Sequence, residues 1–212
     1  MRGREGVKDE VRGVVKRLKE ELPNVLRTIR DFTDESRRYA YFIAWLGSRV
    51  EEVGLGKVVV TGGFAVELYT GRVYRTMDVD LICEGRSAEI IEEFLKEFSE
   101  RLGRGYLPRI EELSLKSIDI VSTVYNRELP PVKVYINNFR LYIDPPEHLI
   151  VTYLAGWKHW GSTEDRDKAL WLLVATKSII NQEVLRELAH KENVEDLLNK
   201  LIAKIRKLGL SK

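Results

Sequence analysis

Apolar residues in the first fifty positions recur at the helical period. Val7, Val11, Val14, Val15, Leu18 and Leu22 predict one buried helix face. Pro23-Asn24 predicts its end. Asp34 is placed to cap a second helix carrying Tyr39, Tyr41, Phe42, Trp45, Leu46 and Val50, with Gly54 and Gly56 to stop it. Those aromatics read as packing against a sheet. The period then shortens. Lys57–Thr61 predicts a strand, Gly63–Thr70 a short helix and Val79–Cys83 a second strand. Ser87 predicts the cap of a helix running to about Leu102, with Ile90, Ile91, Phe94, Leu95 and Phe98 buried. Tyr106–Leu115 fits neither period, whereas Lys116–Ser122 alternates as a strand. Val132–Ile136 and Phe139–Ile143 flank Asn137-Asn138, a hairpin turn.

After Asp144-Pro145-Pro146 the pattern is helical. It predicts helices over Pro146–Trp157, Thr163–Ile180, Gln182–His190 and Val194–Leu208. The expected fold is α/β (α+β): a mixed β-sheet flanked by helices, followed by a helical C-terminal domain. The expected division is N-terminal helices over 1–56, an α/β core over 57–144 and the helical domain over 145–212.

Composition narrows the class. Apolar residues are 44% of 212, enough for a sizeable core. A net charge of +2 gives no global electrostatic case for nucleic acid. The single cysteine, Cys83, cannot form an internal disulfide. With no membrane-length apolar run and no signal peptide, a cytoplasmic setting is expected and a membrane partner is not.

The chemistry concentrates between Val58 and Glu84. Asp78 and Asp80 alternate on one strand and so share a face. Asp119, in Ile118-Asp119-Ile120, has the parity to join them from another strand. A carboxylate between apolar neighbours is costly unless paired or metal-bound. Three such groups can hold one or two Mg²⁺ ions against phosphate oxygens. Asp78 and Asp80 would be the shared ligands; Asp119 would hold the second ion and act as general base. Gly62-Gly63, at a strand-to-helix junction, lets backbone amides approach a phosphate. It is neither a Walker loop nor a dinucleotide fingerprint. Arg72 and Arg75 read either as triphosphate ligands or as solvated loop residues. Thr76 caps the turn or joins the site. His148 and His159 are too few and too far apart for zinc. Trp157, His159 and Trp160 read as a base platform or as interhelical packing. The basic helix end, Lys200, Lys204, Arg206, Lys207 and Lys212, reads as RNA contact or as ordinary C-terminal charge, the second being the simpler.

Taken together, Gly62-Gly63-Phe64-Ala65, Arg75-Thr76-Met77-Asp78-Val79-Asp80-Leu81 and the later Asp119 resemble the DNA polymerase β-like nucleotidyltransferase superfamily. The Gly-Gly variant resembles the AbiEii-type toxins and related uncharacterised archaeal and bacterial nucleotidyltransferases. Pro146-Glu147-His148-Leu149-Ile150 and Glu164-Asp165-Arg166-Asp167-Lys168-Ala169-Leu170 are similar to the segments of that group's helical part. Where its toxins carry a lysine this chain has Thr152 and Tyr153, with Lys158 one turn on as the candidate substitute. The resemblance covers about Val58 to Leu173. It implies Mg²⁺, a nucleoside triphosphate substrate, nucleotidyl transfer to an RNA, protein or small-molecule hydroxyl, and an antitoxin or a second copy as candidate partners. A non-catalytic nucleotide- or RNA-binding module is the rival expectation.

Overall fold

The computed structural model describes residues 2–209; the side chain of Val7 and all of Lys212 lie outside the described residues. Among these residues the chain forms eight α-helices, a 3₁₀ turn and one seven-stranded mixed sheet. It divides into two compact units.

The first unit holds the sheet. Its N-terminal helix, α1 (Arg2–Arg30), buries Val11, Val14, Val15, Leu18, Val25 and Ile29. The expected break at Pro23 does not occur: α1 runs through it. A mid-helix proline costs about 3 kcal/mol. Continuing the stripe through Val25 and Ile29 offsets that cost, because each adds a fully or nearly fully buried aliphatic side chain. Helix α2 (Glu35–Glu52) begins where expected, with Asp34 Oδ1 accepting from the Arg37 amide at 3.1 Å. Its Tyr39, Tyr41, Phe42 and Trp45 are all buried, as core packing requires.

The strands are β1 (Gly56–Thr61), β2 (Asp78–Gly85), β3 (Ser99–Leu102), β4 (Gly105–Pro108), β5 (Ser117–Ser122), β6 (Val132–Ile136) and β7 (Phe139–Ile143). Their order is β3-β4-β5-β2-β1-β7-β6. β1 runs antiparallel to β2 and parallel to β7; β2 runs parallel to β5. Gly47 of α2 packs on Val58, so Val58, Val60 and their register partners Cys83 and Leu81 face that helix. Burial there pushes the Cys83 thiol up to about 12, which keeps it protonated near neutrality.

One helix is shorter than its pattern. The element opening near Ser87, α4 (Ser87–Leu95), ends a full two turns before Leu102. Phe98 turns back edge-on against Phe94 at 4.8 Å, and Ser99–Leu102 becomes the edge strand β3. Gly103, at φ +60°, makes the turn into β4. Ser87 is not the cap. Its hydroxyl lies 2.7 Å from the Glu84 carbonyl and 3.2 Å from that of Lys57, binding the helix start to the strands.

The second unit is helical: α3 (Gly62–Tyr69), then α5 (Pro146–Trp160), α6 (Thr163–Ala175), α7 (Gln182–Lys191) and α8 (Glu195–Lys207). α5 contacts each of the others. A Cβ at Gly156 would lie 3.0 Å from Asp165 Cγ, so glycine permits the close α5–α6 crossing. Arg127 pairs with the buried Asp144 at 3.3 Å, and the Leu129 amide donates to His148 Nε2 at 3.1 Å, fixing residues 127–130 to the start of α5. Burial lowers the His148 pKa, consistent with a neutral ring accepting that bond. Among the described residues no helix is long and apolar enough to cross a membrane.

Candidate active site

The parallel pairing of β2 with β5 sets the geometry. Asp80 is in register with Asp119, and Asp78 with Ser117. Paired residues project from the same face, so all four side chains share the face opposite α2. On the other side of β2, Thr61 is the register partner of Asp80. The strand centres are apolar: Val79, Leu81 and Ile118 are fully buried on the reverse face. Hydrophobic burial of one face thus fixes where the carboxylates point.

Ser117 was visible in the sequence only as a residue of matching parity. Its Oγ lies 2.7 Å from Asp78 Oδ1 and 2.8 Å from Asp119 Oδ1. A hydroxyl carries one proton, so it donates to one carboxylate at a time and meets the other lone pair to lone pair. Two anions held this way attract a cation. The donor set is entirely oxygen, which suits a hard ion such as Mg²⁺. Among the described residues, however, no group of three or more His, Cys, Asp or Glu side chains is gathered tightly enough to hold a metal. Ser117 stands between two of the candidates. Closure on a cation requires its hydroxyl to turn away or to become a ligand.

Two further positions support this face, and neither carries a motif. At Gly105, in β4, a Cβ would overlap Asp119 Oδ1 and lie 2.7 Å from its Cγ. The absent side chain is the space that Asp119 occupies. Lys116, only 1% exposed, donates to the Thr76 carbonyl and lies 3.2 Å from Glu35 Oε1. The Ser117 amide donates to the Met77 carbonyl at 2.9 Å, and the Asp78 amide to Thr76 Oγ1 at 3.4 Å. The Tyr39 hydroxyl accepts from the Lys116 amide at 2.7 Å. The start of β2 is therefore tied to β5 and α2 from three directions.

The other expected residues lie in the helical unit. Gly62 has φ +61°, which favours glycine, and Gly63 is buried in the first turn of α3. Arg72 is half-buried at φ +72°, and Arg75 is exposed. Tyr74 between them donates to Glu164 Oε1 at 2.9 Å, anchoring their loop on α6. Lys158 donates to the Asn193 carbonyl between α7 and α8. His159 and Trp160 are exposed at the end of α5, so interhelical packing does not account for Trp160.

Residues 39–150 match the family model described as nucleotidyl transferase of unknown function (DUF2204). The chain belongs to this family. The matched span of this nucleotidyl transferase contains the glycine pair, the loop arginines and all three aspartates. Among solved structures, an antigenic nucleotidyltransferase-like protein from Paracoccidioides brasiliensis is 17% identical, with a TM-score of 0.52, covering 81% of this chain and 94% of its own. That likeness is one of fold. The antibiotic-resistance factor ANT(2'')-Ia in solution is 16% identical with a TM-score of 0.40, covering 76% of this chain and 90% of its own. Its crystal structure with adenylyl-2''-tobramycin is 17% identical with a TM-score of 0.46, covering 72% and 94%. No curated protein matches the chain.

Proposed function

We propose that this nucleotidyl transferase moves a nucleoside monophosphate from a nucleoside triphosphate to a hydroxyl acceptor and releases pyrophosphate. The observation that carries the reading is the Asp80–Asp119 register, with Asp78 brought to the same face through Ser117. Asp78, Asp80 and Asp119 would hold one or two Mg²⁺ ions, which when bound neutralise charge on the triphosphate and make the acceptor hydroxyl more acidic. Asp119 accepts the acceptor proton at Oδ2, the oxygen Ser117 does not engage. The acceptor oxygen bonds to the α-phosphorus as the bond from that phosphorus to the bridging oxygen breaks. The Gly62 and Gly63 amides meet phosphate, and Arg72, Arg75 and Thr76 serve the departing pyrophosphate. Lys158 would join them only on releasing Asn193. The Gly-Gly-x-Ala and Pro-Glu-x-Leu resemblances favour the AbiEii-type group within the superfamily, and with it an antitoxin partner.

The test is transfer of label from each of four α-labelled nucleoside triphosphates, with total RNA or the protein itself as acceptor, with Mg²⁺ and with excess EDTA. Label moving only with Mg²⁺ supports the reading and names base and acceptor class. Magnesium-dependent nucleotide binding without transfer would favour a binding module, a reading to which the hydroxyl lodged between Asp78 and Asp119 lends weight. Gly105→Ala is expected to lower transfer by about 10- to 100-fold with an unchanged circular dichroism spectrum, because it displaces the Asp119 carboxylate. Wild-type rates in that variant would remove Asp119 from the chemistry.

A further inference from the structure

The helical unit carries an exposed strip that the transfer chemistry does not use. Trp160 is 81% exposed at the end of α5, with the His159 ring 6.5 Å away and tilted 66° to it. Trp157, one turn earlier, has Lys200 of α8 over its ring at 5.3 Å. From Lys200 the row continues on the same helix face through Lys204 and Lys207, at i+4 and i+7. All three lysines are exposed. None has a carboxylate within ion-pair distance among the described residues. From Leu197 onward the sequence has five cations and no carboxylate. Asp196, one turn before Lys200, closes the row at its other end.

We infer that this strip docks single-stranded RNA; the inference does not rest on the nucleotidyl-transfer reading. Exposed aromatic rings stack bases, and a row of lysines without carboxylate partners follows phosphates. Successive lysines stand about 5 to 6 Å apart along the helix, a step that a backbone of phosphates can track. The dipole of α8 accounts for cations in its last turn, but Lys200 lies two turns from the end. A bilayer is a poorer partner, because on α8 Leu198, Leu201 and Ile205 are buried inward and Leu197 and Ile202 are half-buried, which leaves no fully exposed large apolar side chain along the helix.

The probe is a fluorescein-labelled 12-nucleotide oligo(U), titrated with the full chain by anisotropy at several salt concentrations, without nucleotide or Mg²⁺. Binding should weaken with salt at a logarithmic slope of about −2, since each phosphate contact on a single strand contributes about −0.7. Lys200→Ala, Lys204→Ala and Lys207→Ala should each reduce that slope by about 0.7. Trp160→Ala should weaken binding roughly 5- to 150-fold with the slope unchanged, the mark of a lost stacking contact. Lys133→Ala, on β6, should change nothing. Asp80→Asn should bind like wild type, so failure of the transfer reading and failure of docking are told apart. No binding, equal binding to an RNA duplex, or Trp160-dependent binding to phosphatidylserine vesicles in its place would overturn the proposal.

Discussion

Asp80→Asn should lower nucleotidyl transfer by at least about 1,000-fold while the protein stays folded. Asparagine keeps the size and one carbonyl oxygen of aspartate but removes the charge. Asp80 is the aspartate whose register partner is another, Asp119, and it lies on β2 between two hydrogen-bonded neighbours. Stabilisation of charge at a phosphoryl centre by a bound dication is worth several kcal/mol, and about 4 kcal/mol corresponds to three orders of magnitude in rate. The stability side has the opposite sign. Asp78, Asp80 and Asp119 share one sheet face, so removing one negative charge relieves repulsion in the metal-free protein. The melting temperature without Mg²⁺ should therefore hold or rise, and any stabilisation that Mg²⁺ gives the wild type should shrink. The measurements are labelled transfer and thermal melts with and without Mg²⁺. A folded variant with near wild-type transfer would sink the role given to Asp80.

Lys116→Met should destabilise the protein by about 3 to 5 kcal/mol, read as a shift in urea midpoint. Lys116 is 1% exposed, and its ammonium is matched to Glu35, 14% exposed, and to the Thr76 carbonyl. Methionine fills similar volume but leaves Glu35 without its ammonium partner in a largely dry site. Removing one member of a buried pair costs far more than removing both. The double variant Glu35→Gln/Lys116→Met should therefore recover most of the loss. If the double variant is no more stable than the single, the damage comes from the freed Thr76 carbonyl at the head of β2 instead. Because Thr76 lies two residues from Asp78, the single variant should also bind Mg²⁺ more weakly in titration calorimetry.

The sequence made the site face legible because strand parity is a local property. Asp78 and Asp80 alternate, Asp119 sits two residues from Ser117, and the sheet pairs them as parity requires. The hairpin at Asn137-Asn138 was equally local, with Asn137 at φ +52°. The Asp34 cap was readable for the same reason. What failed depended on distant partners. Pro23 carries a strong helix-breaking signal, yet Val25 and Ile29 are buried beyond it and hold the helix together. Phe98 fits the apolar face of a longer helix, but packing on Phe94 and the turn at Gly103 redirect the chain. Gly105 and Lys116 have no motif at all. Their meaning lies in the atoms opposite them, Asp119 and Glu35, brought there by folding. Trp160 stayed open between a base platform and packing for another reason: a large ring is usually interior, and no one-dimensional pattern marks the few that face water.

The position of β2 has a consequence for how the protein breathes. Local openings in a folded chain range from fraying ends to the complete loss of structure, and interior strands belong to the last class. β2 is hydrogen-bonded along both edges, to β1 and to β5, whereas β3 and β6 end the sheet. Asp78 and Asp80 thus ride on a segment that stays shut until the sheet itself comes apart. Fluctuations at the sheet margins leave their spacing unchanged. A ligand arriving at these carboxylates meets a preset backbone, and the only local adjustment required of it is rotation about single side-chain bonds, that of Ser117 among them.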